Sequence, residues 1–187
     1  MSTVTLILNR AQQGDPTAAS ELLPLVYDEL RKLAAARMAN ESASHTLQPT
    51  ALVHEAWLRL TDTDPNTRFA NRAHFFAAAA EAMRRILVDR ARRKLAGKRG
   101  GGRERISLDK VEIAADADDE TLLLVSESLD ELAREQPQAA EIVKLRFFVG
   151  LTLEEAGQLL GFTERTAKRH WAFARAWLYH AMKAALK

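Results

Sequence analysis

The segment Thr163-Glu-Arg-Thr-Ala-Lys-Arg-His170, which follows Leu151-Thr-Leu-Glu-Glu-Ala-Gly-Gln-Leu-Leu-Gly161, constrains this chain more than any other stretch. Thr152 and Glu155 stand at the spacing of a capping box, which satisfies the free amides at a helix start. Ala156, Leu159 and Leu160 form the inward side of the short helix that follows. Gly161 supplies a left-handed turn that a residue with a Cβ resists. Phe162 then plugs the core and Thr163 caps a second helix. Glu164, Arg165, Thr166, Lys168 and Arg169 fall in the first turns of that helix, with Trp171, Trp177, Leu178 and Met182 on its core side. This is the layout of a helix-turn-helix, whose second helix enters the DNA major groove. Arginine reads guanine with two hydrogen bonds, and lysine more often serves phosphate.

Glycine and proline divide the remainder. Asp15-Pro16 is a helix start, with Asp as the cap and Pro in the first helical position. Leu22, Leu23, Leu25, Val26, Leu30 and Leu33 follow at helical spacing, to an end near Asn40. Pro49 starts a second helix, on which Leu52, Val53, Ala56, Trp57 and Leu60 make an apolar stripe. After Asp64-Pro65-Asn66, a long helix is predicted from about Asn71 to Leu95. Helical periodicity resumes at Leu122 and runs past Leu132. Pro137 opens the next helix, with Ile142, Val143, Leu145 and Phe148 as its buried residues. No useful strand-like alternation and no internal repeat occurs. The expected fold is all-α: two small helical domains, 1–97 and 119–187, joined by a flexible linker over 98–118, the second domain containing the helix-turn-helix.

Charge is unevenly placed. Net charge is only +2, yet Arg84 to Arg105 holds ten Lys or Arg against Asp89 and Glu104. From Asp109 to Glu135 there are ten acids against Lys110 and Arg134. The basic block reads as a polyanion-binding face. If the two domains pack together, the acidic block can mask the basic one. Cysteine is absent, which excludes disulfides, thiolate metal sites and a cysteine nucleophile. The five histidines, His45, His54, His74, His170 and His180, lack metal-ligand spacing, and Gly100-Gly-Gly102 is a flexible run rather than a phosphate loop. No cofactor, metal or catalytic group is expected. No apolar run reaches the roughly 20 residues of a membrane span, and the N-terminus does not read as a signal peptide. A cytoplasmic protein, monomeric when free, is expected.

The order of elements resembles an extracytoplasmic-function sigma factor of the sigma-70 family. The resemblance covers nearly the whole chain. Leu52-Val-His-Glu-Ala-Trp-Leu-Arg-Leu60 is similar to the region 2 helix that docks on the clamp helices of RNA polymerase. It implies polymerase contacts at Leu52, Val53, Glu55, Ala56, Trp57 and Arg59. Ile86-Leu-Val-Asp-Arg-Ala-Arg-Arg93 is similar to the basic helix that meets the promoter −10 element, which implies DNA contacts at Arg84, Arg85, Arg90, Arg92 and Arg93, with Asn71 and Arg72 at the head of that helix. Leu145-Arg-Phe-Phe-Val-Gly-Leu-Thr-Leu-Glu-Glu-Ala156 and Thr166-Ala-Lys168 resemble region 4, which reads the −35 element and touches the β-flap. The implied partners are core RNA polymerase and promoter DNA. The loop from about Thr61 to His74 would capture an unpaired base. Phe69 and His74 are candidates to hold it, and Phe75 and Phe76 read as core.

Family members usually carry Asp-Ala-Glu-Asp before the docking helix, facing basic residues on the clamp. This chain has Gln48-Pro-Thr-Ala51. Lost charge complementarity weakens or slows docking. Phosphate on Thr50 would restore about −1.5 to −2 of charge at the positive end of the helix dipole. A Ser/Thr protein kinase acting at Thr50 is therefore expected, as in groups of these factors linked to such kinases. Thr46 is the second candidate, and Thr61 and Thr63 come after it. In region 4, His170 and Phe173 stand where basic residues are common, which leaves the −35 sequence unread. The rival readings are a helix-turn-helix regulator acting without polymerase and an interaction protein that has lost sigma activity.

Overall fold

A computed structural model describes residues 49–62, 69, 71–97 and 119–185, together with Thr3, Leu6, Ile7, Arg10, Gln13, Asp15, Thr17, Ala18, Glu21, Pro24, Leu25, Tyr27 and Leu30. The expected linker over 98–118 lies outside the described residues. So do Thr46, Thr63, and the apolar positions Leu22, Leu23, Val26 and Leu33. Among the described residues all regular structure is helical.

Near the N-terminus, the Asp15 carboxylate accepts the Thr17 amide at 2.9 Å and the Thr17 hydroxyl at 2.7 Å, the geometry of a helix cap. The Arg10 guanidinium holds the same carboxylate from Nε at 3.0 Å and Nη2 at 2.7 Å, and reaches Glu21 at 2.7 Å. Ile7, Ala18 and Leu30 are buried in the core.

Helix α1 spans Pro49–Asp62 and α2 spans Arg72–Gly97. Asn71 starts α2, because its side-chain oxygen accepts the His74 amide at 2.8 Å. At 26 residues, α2 is about 39 Å long. It is buried around most of its girth, through Phe75, Phe76, Ala79, Ala80, Met83, Ile86 and Val88. The alanine run lets neighbouring helices approach closely. One neighbour is α1 and another is α3, Asp119–Glu135. Leu122, Val125, Leu129 and Leu132 form the buried stripe of α3, at the spacing of one helix face.

Helix α4, Pro137–Lys144, follows with proline in its first turn. It runs directly into a π-helical turn over Leu145–Val149. That turn buries Leu145, Phe147, Phe148 and Val149, with the two rings edge to face at 5.0 Å. Gly150 closes it at φ 87, and its amide donates to the carbonyls of Leu145 and Arg146. The sequence predicts an ordinary helix here. Both consecutive phenylalanines of this turn face the core.

Helices α5, Leu153–Leu159, and α6, Glu164–Ala185, complete the chain. The capping box is present in full: Thr152 Oγ1 accepts the Glu155 amide at 3.2 Å, and Glu155 accepts the Thr152 amide at 2.7 Å. Gly161 adopts φ 73, and the amides of Gly161 and Phe162 return to the carbonyls of Gln158 and Gly157 at 3.2 and 2.8 Å. That is a Schellman ending, which satisfies the last carbonyls of α5. Leu178 and Met182 are buried, Trp171 and Trp177 half-buried. The Trp177 indole N–H donates to Glu135 at 3.0 Å, and the Arg146 guanidinium stacks over Trp171 at 4.4 Å.

Candidate nucleic-acid and partner interfaces

The N-terminus of α6 is a solvent-facing cationic edge. Thr163 caps it, accepting the Thr166 amide at 3.2 Å, while the two hydroxyls hydrogen-bond at 2.9 Å. Thr166 is thus half-buried and engaged in the cap. Arg165, Lys168 and Arg169 are exposed on the outer face. Glu164 pairs with Lys168, one turn on. The hydrogen bond from Lys168, then its charge, lowers the Glu164 pKa, and the same contact raises that of Lys168. Ala167 points inward against Gly157. Short helix, tight turn and long helix therefore present three cations while their own contact stays apolar.

The predicted residues on α1 divide between two faces. Leu52, Val53 and Ala56 are buried, so the apolar stripe assigned to a partner is spent on the chain's own core. The exposed face next to it carries Thr50, Ala51, His54 and Leu58. Leu58 is 43% exposed. Sequence reasoning passed over His54 and Leu58. Their i, i+4 relation to Thr50 is the signal that finds them. Trp57 is half-buried, its ring centroid 6.5 Å from that of Phe75. Thr50 is exposed in a first turn that carries no acidic residue.

Glu55 and Arg59 sit at the seam between α1 and α2. Arg59 reaches Glu55 at 3.2 Å and Asp89 at 3.6 Å, and Arg90 reaches Glu55 at 3.5 Å. These groups are all partly exposed, so the quartet contributes little to stability. It does place one predicted DNA contact, Arg90, beside two predicted polymerase contacts.

The remaining arginines of α2 are not equivalent. Arg92 and Arg93 are exposed, and Arg85 is exposed beside Glu81 at 3.2 Å. Arg84 is 8% exposed. Its Nε donates to Ser126 Oγ at 2.9 Å, and its Nη2 donates to the Ser126 carbonyl and to Asp130, both at 2.7 Å. In this arrangement the Arg84 side chain, expected at DNA, lies against Ser126 and Asp130 of α3 and reaches Glu81 of its own helix at 3.5 Å. At the head of α2, Asn71 is occupied as the cap and the Arg72 guanidinium lies over the Phe76 ring at 4.9 Å. Phe75 and Phe76 are fully buried. Phe69 packs on Phe75 and His74 at centroid distances of 5.1 and 5.8 Å, leaving His74 the exposed ring of that group.

No helix among the described residues is long and apolar enough to cross a membrane. Compared with curated proteins, the chain has no significant match. A family model described as ECF sigma factor matches residues 1–184. The capped helix pair, the cationic edge of α6 and the α1–α2 pair all lie within the matched range, and the chain belongs to the ECF sigma factor family.

Proposed function

We propose that this sigma factor, which directs core RNA polymerase to specific promoters, reads the −35 element with Arg165, Lys168 and Arg169 of α6. The observation that carries this is the exposed cationic edge at the start of a capped helix whose other side packs through Ala167, Ala174, Leu178 and Met182. Glu164 and Thr166 shape that edge, one by pairing with Lys168 and the other by completing the cap. The exposed arginines of α2, Arg85, Arg92 and Arg93, together with Arg90, serve the −10 DNA. No chemistry is asked of the chain itself, since polymerase makes the phosphodiester bonds.

Docking on the polymerase clamp is assigned to the outer face of α1: Leu58 and His54 at its centre, with Glu55, Trp57 and Arg59 at its edges. Leu52, Val53 and Ala56 support that face from beneath. Thr50 lies on the same face, in a turn without acids. A Ser/Thr kinase that phosphorylates Thr50 would supply the missing negative charge and strengthen docking.

The test is binding of the purified full chain to bacterial core polymerase, as unmodified protein, as Thr50→Glu and as kinase-phosphorylated protein. Phosphorylated chain is expected to associate about tenfold faster than unmodified chain, with a strong salt dependence. Equal, tight binding by unmodified and phosphorylated chains removes the Thr50 switch. Leu58→Glu is expected to abolish binding while leaving the helical circular dichroism intact. Undiminished binding removes the docking assignment.

A further inference from the structure

Glu55 on α1 is claimed by two arginines at once. Its Oε1 accepts a hydrogen bond from Arg59 Nη2 of the same helix at 3.2 Å, and its Oε2 faces Arg90 Nη2 of α2 at 3.5 Å. Arg59 Nη1 in turn lies 3.6 Å from Asp89, the chain neighbour of Arg90. We propose that Glu55 is a positioning residue for Arg90, shared between two partners. In the free chain it holds the Arg90 guanidinium at the seam. When a cation of the polymerase clamp takes the Glu55 carboxylate, Arg90 passes to the phosphates of the −10 DNA. The proposal rests on the docking and −10 readings given above.

The distances decide which contact gives way. A charge-assisted hydrogen bond from nitrogen to carboxylate closes to about 2.7–2.9 Å. At 3.5 Å, Arg90 is held by charge more than by a hydrogen bond. Arg59, by contrast, stays one turn from Glu55 on a common helix. Arg90 is therefore the group that leaves. The buried residues of α1, Leu52, Val53 and Ala56, are not part of the quartet, so its rearrangement leaves the apolar core as it is. The four charged side chains are between 36% and 42% exposed. A partner's cation, a phosphate and salt ions all reach them, and pairs so exposed are weak enough to exchange. On α2, Arg90 lies three residues before the exposed Arg93, next to it on the helix surface. DNA held at Arg93 thus has Arg90 within reach. A carboxylate that serves Arg90 and the clamp by turns links the two binding events, so each strengthens the other.

The test is a double-mutant cycle on the full chain, Glu55→Gln with Arg90→Ala, read as affinity for a short promoter duplex and as affinity for core polymerase. Glu55→Gln is expected to tighten duplex binding about two- to fivefold, the range open to an exposed ion pair, and to weaken polymerase binding. Arg90→Ala is expected to tighten polymerase binding by a similar factor while weakening duplex binding. Each gain should vanish in the background of the other substitution and fade with added salt. A pair that merely supports the fold would lower both affinities, and a net-charge effect would persist in both backgrounds; either result overturns the exchange. If Glu55→Gln weakens polymerase binding and leaves duplex affinity unchanged, the docking assignment stands and the exchange alone falls. If it tightens duplex binding and leaves polymerase binding unchanged, the docking assignment of Glu55 fails and takes the exchange with it. Should Arg90→Ala lose its helical circular dichroism, Arg90→Gln takes its place in the cycle.

Discussion

Adding one methyl group at Gly157 should loosen the junction of α5 and α6, although it places a better helix former in a helix. A Cβ built there lies 2.9 Å from the Ala167 Cβ and 3.9 Å from the Phe162 carbonyl oxygen. Carbon pairs are comfortable at about 3.5–4.0 Å, so the two helices must part by roughly 0.6–1.1 Å. No rotamer relieves the contact, because each Cβ is fixed to its own helix backbone. Overpacking of this kind costs about 1–3 kcal/mol. Replacing a helical glycine by alanine returns up to about 1 kcal/mol. The net for Gly157→Ala is a loss of about 1 kcal/mol, or roughly 2–4 °C in Tm for a chain of this size. Urea unfolding of Gly157→Ala, Ala167→Gly and the double variant separates the two terms. In the double variant the new methyl fills the space left by the old one, so the pair should couple favourably by at least about 1 kcal/mol. Additivity within about 0.5 kcal/mol, or a single Gly157→Ala variant more stable than the parent, would refute the close-approach argument.

Thr152→Ala removes one half of the capping box and should cost about 1 kcal/mol in urea unfolding; an unchanged midpoint would show that water replaces the cap. Glu164→Gln frees Lys168 from its pair, so duplex binding should tighten, and a plot of log affinity against log salt should steepen by about one charge. Isothermal titration at several salt concentrations reads both effects. The Asp15 carboxyl is held down at about 2 from 3.8 by the Thr17 hydroxyl and amide and by Arg10. Its folded pKa is the lower one, so its stabilising effect is present above about pH 4 and is lost as pH falls toward 2. Carboxyl-carbon NMR should find that titration, with Thr17→Ala moving it upward. A midpoint at the ordinary aspartate value in the parent would contradict the cap geometry.

Local rules made much of the fold legible. Proline at 49 and 137, the Thr152–Glu155 box and Gly161 each act within one turn of the chain, and each marks a helix end where it is observed. Helix type just after α4 was less legible. The π-helical turn at Leu145–Val149, with Phe147 and Phe148 both buried, is not encoded by any local propensity. Which face of α1 the chain itself covers has a related cause. Leu52, Val53 and Ala56 form an apolar stripe, and a helix in a small domain spends such a stripe on its own core before any partner is met. The neighbouring strip, with His54 and Leu58, is left exposed. An isolated exposed leucine carries no period, so periodicity analysis passes over it.

Arg84 shows the limit most clearly, and it also links the fold to control of function. In sequence it is one of ten cations in a run, and nothing within that run separates it from Arg85. The distinction comes from Ser126 and Asp130, more than forty residues away. Charge blocks of opposite sign made mutual masking conceivable, but only the antiparallel packing of α2 on α3 says which cation is masked. If DNA contact and self-contact draw on the same guanidinium, they are thermodynamically linked: whatever stabilises the closed pair weakens DNA binding by the same factor, and DNA opens the pair in return. Polymerase docked on Leu58 and His54 would meet the same helix pair whose seam contains Glu55, Arg59, Asp89 and Arg90. Docking that draws Glu55 toward polymerase would release Arg90 toward DNA. A double-mutant cycle pairing Glu55→Gln with Asp130→Asn tests whether the seam and the Arg84–Asp130 contact act together. Coupling above about 0.5 kcal/mol in duplex affinity means that one helix, α2, carries both signals, and additivity means that they act separately.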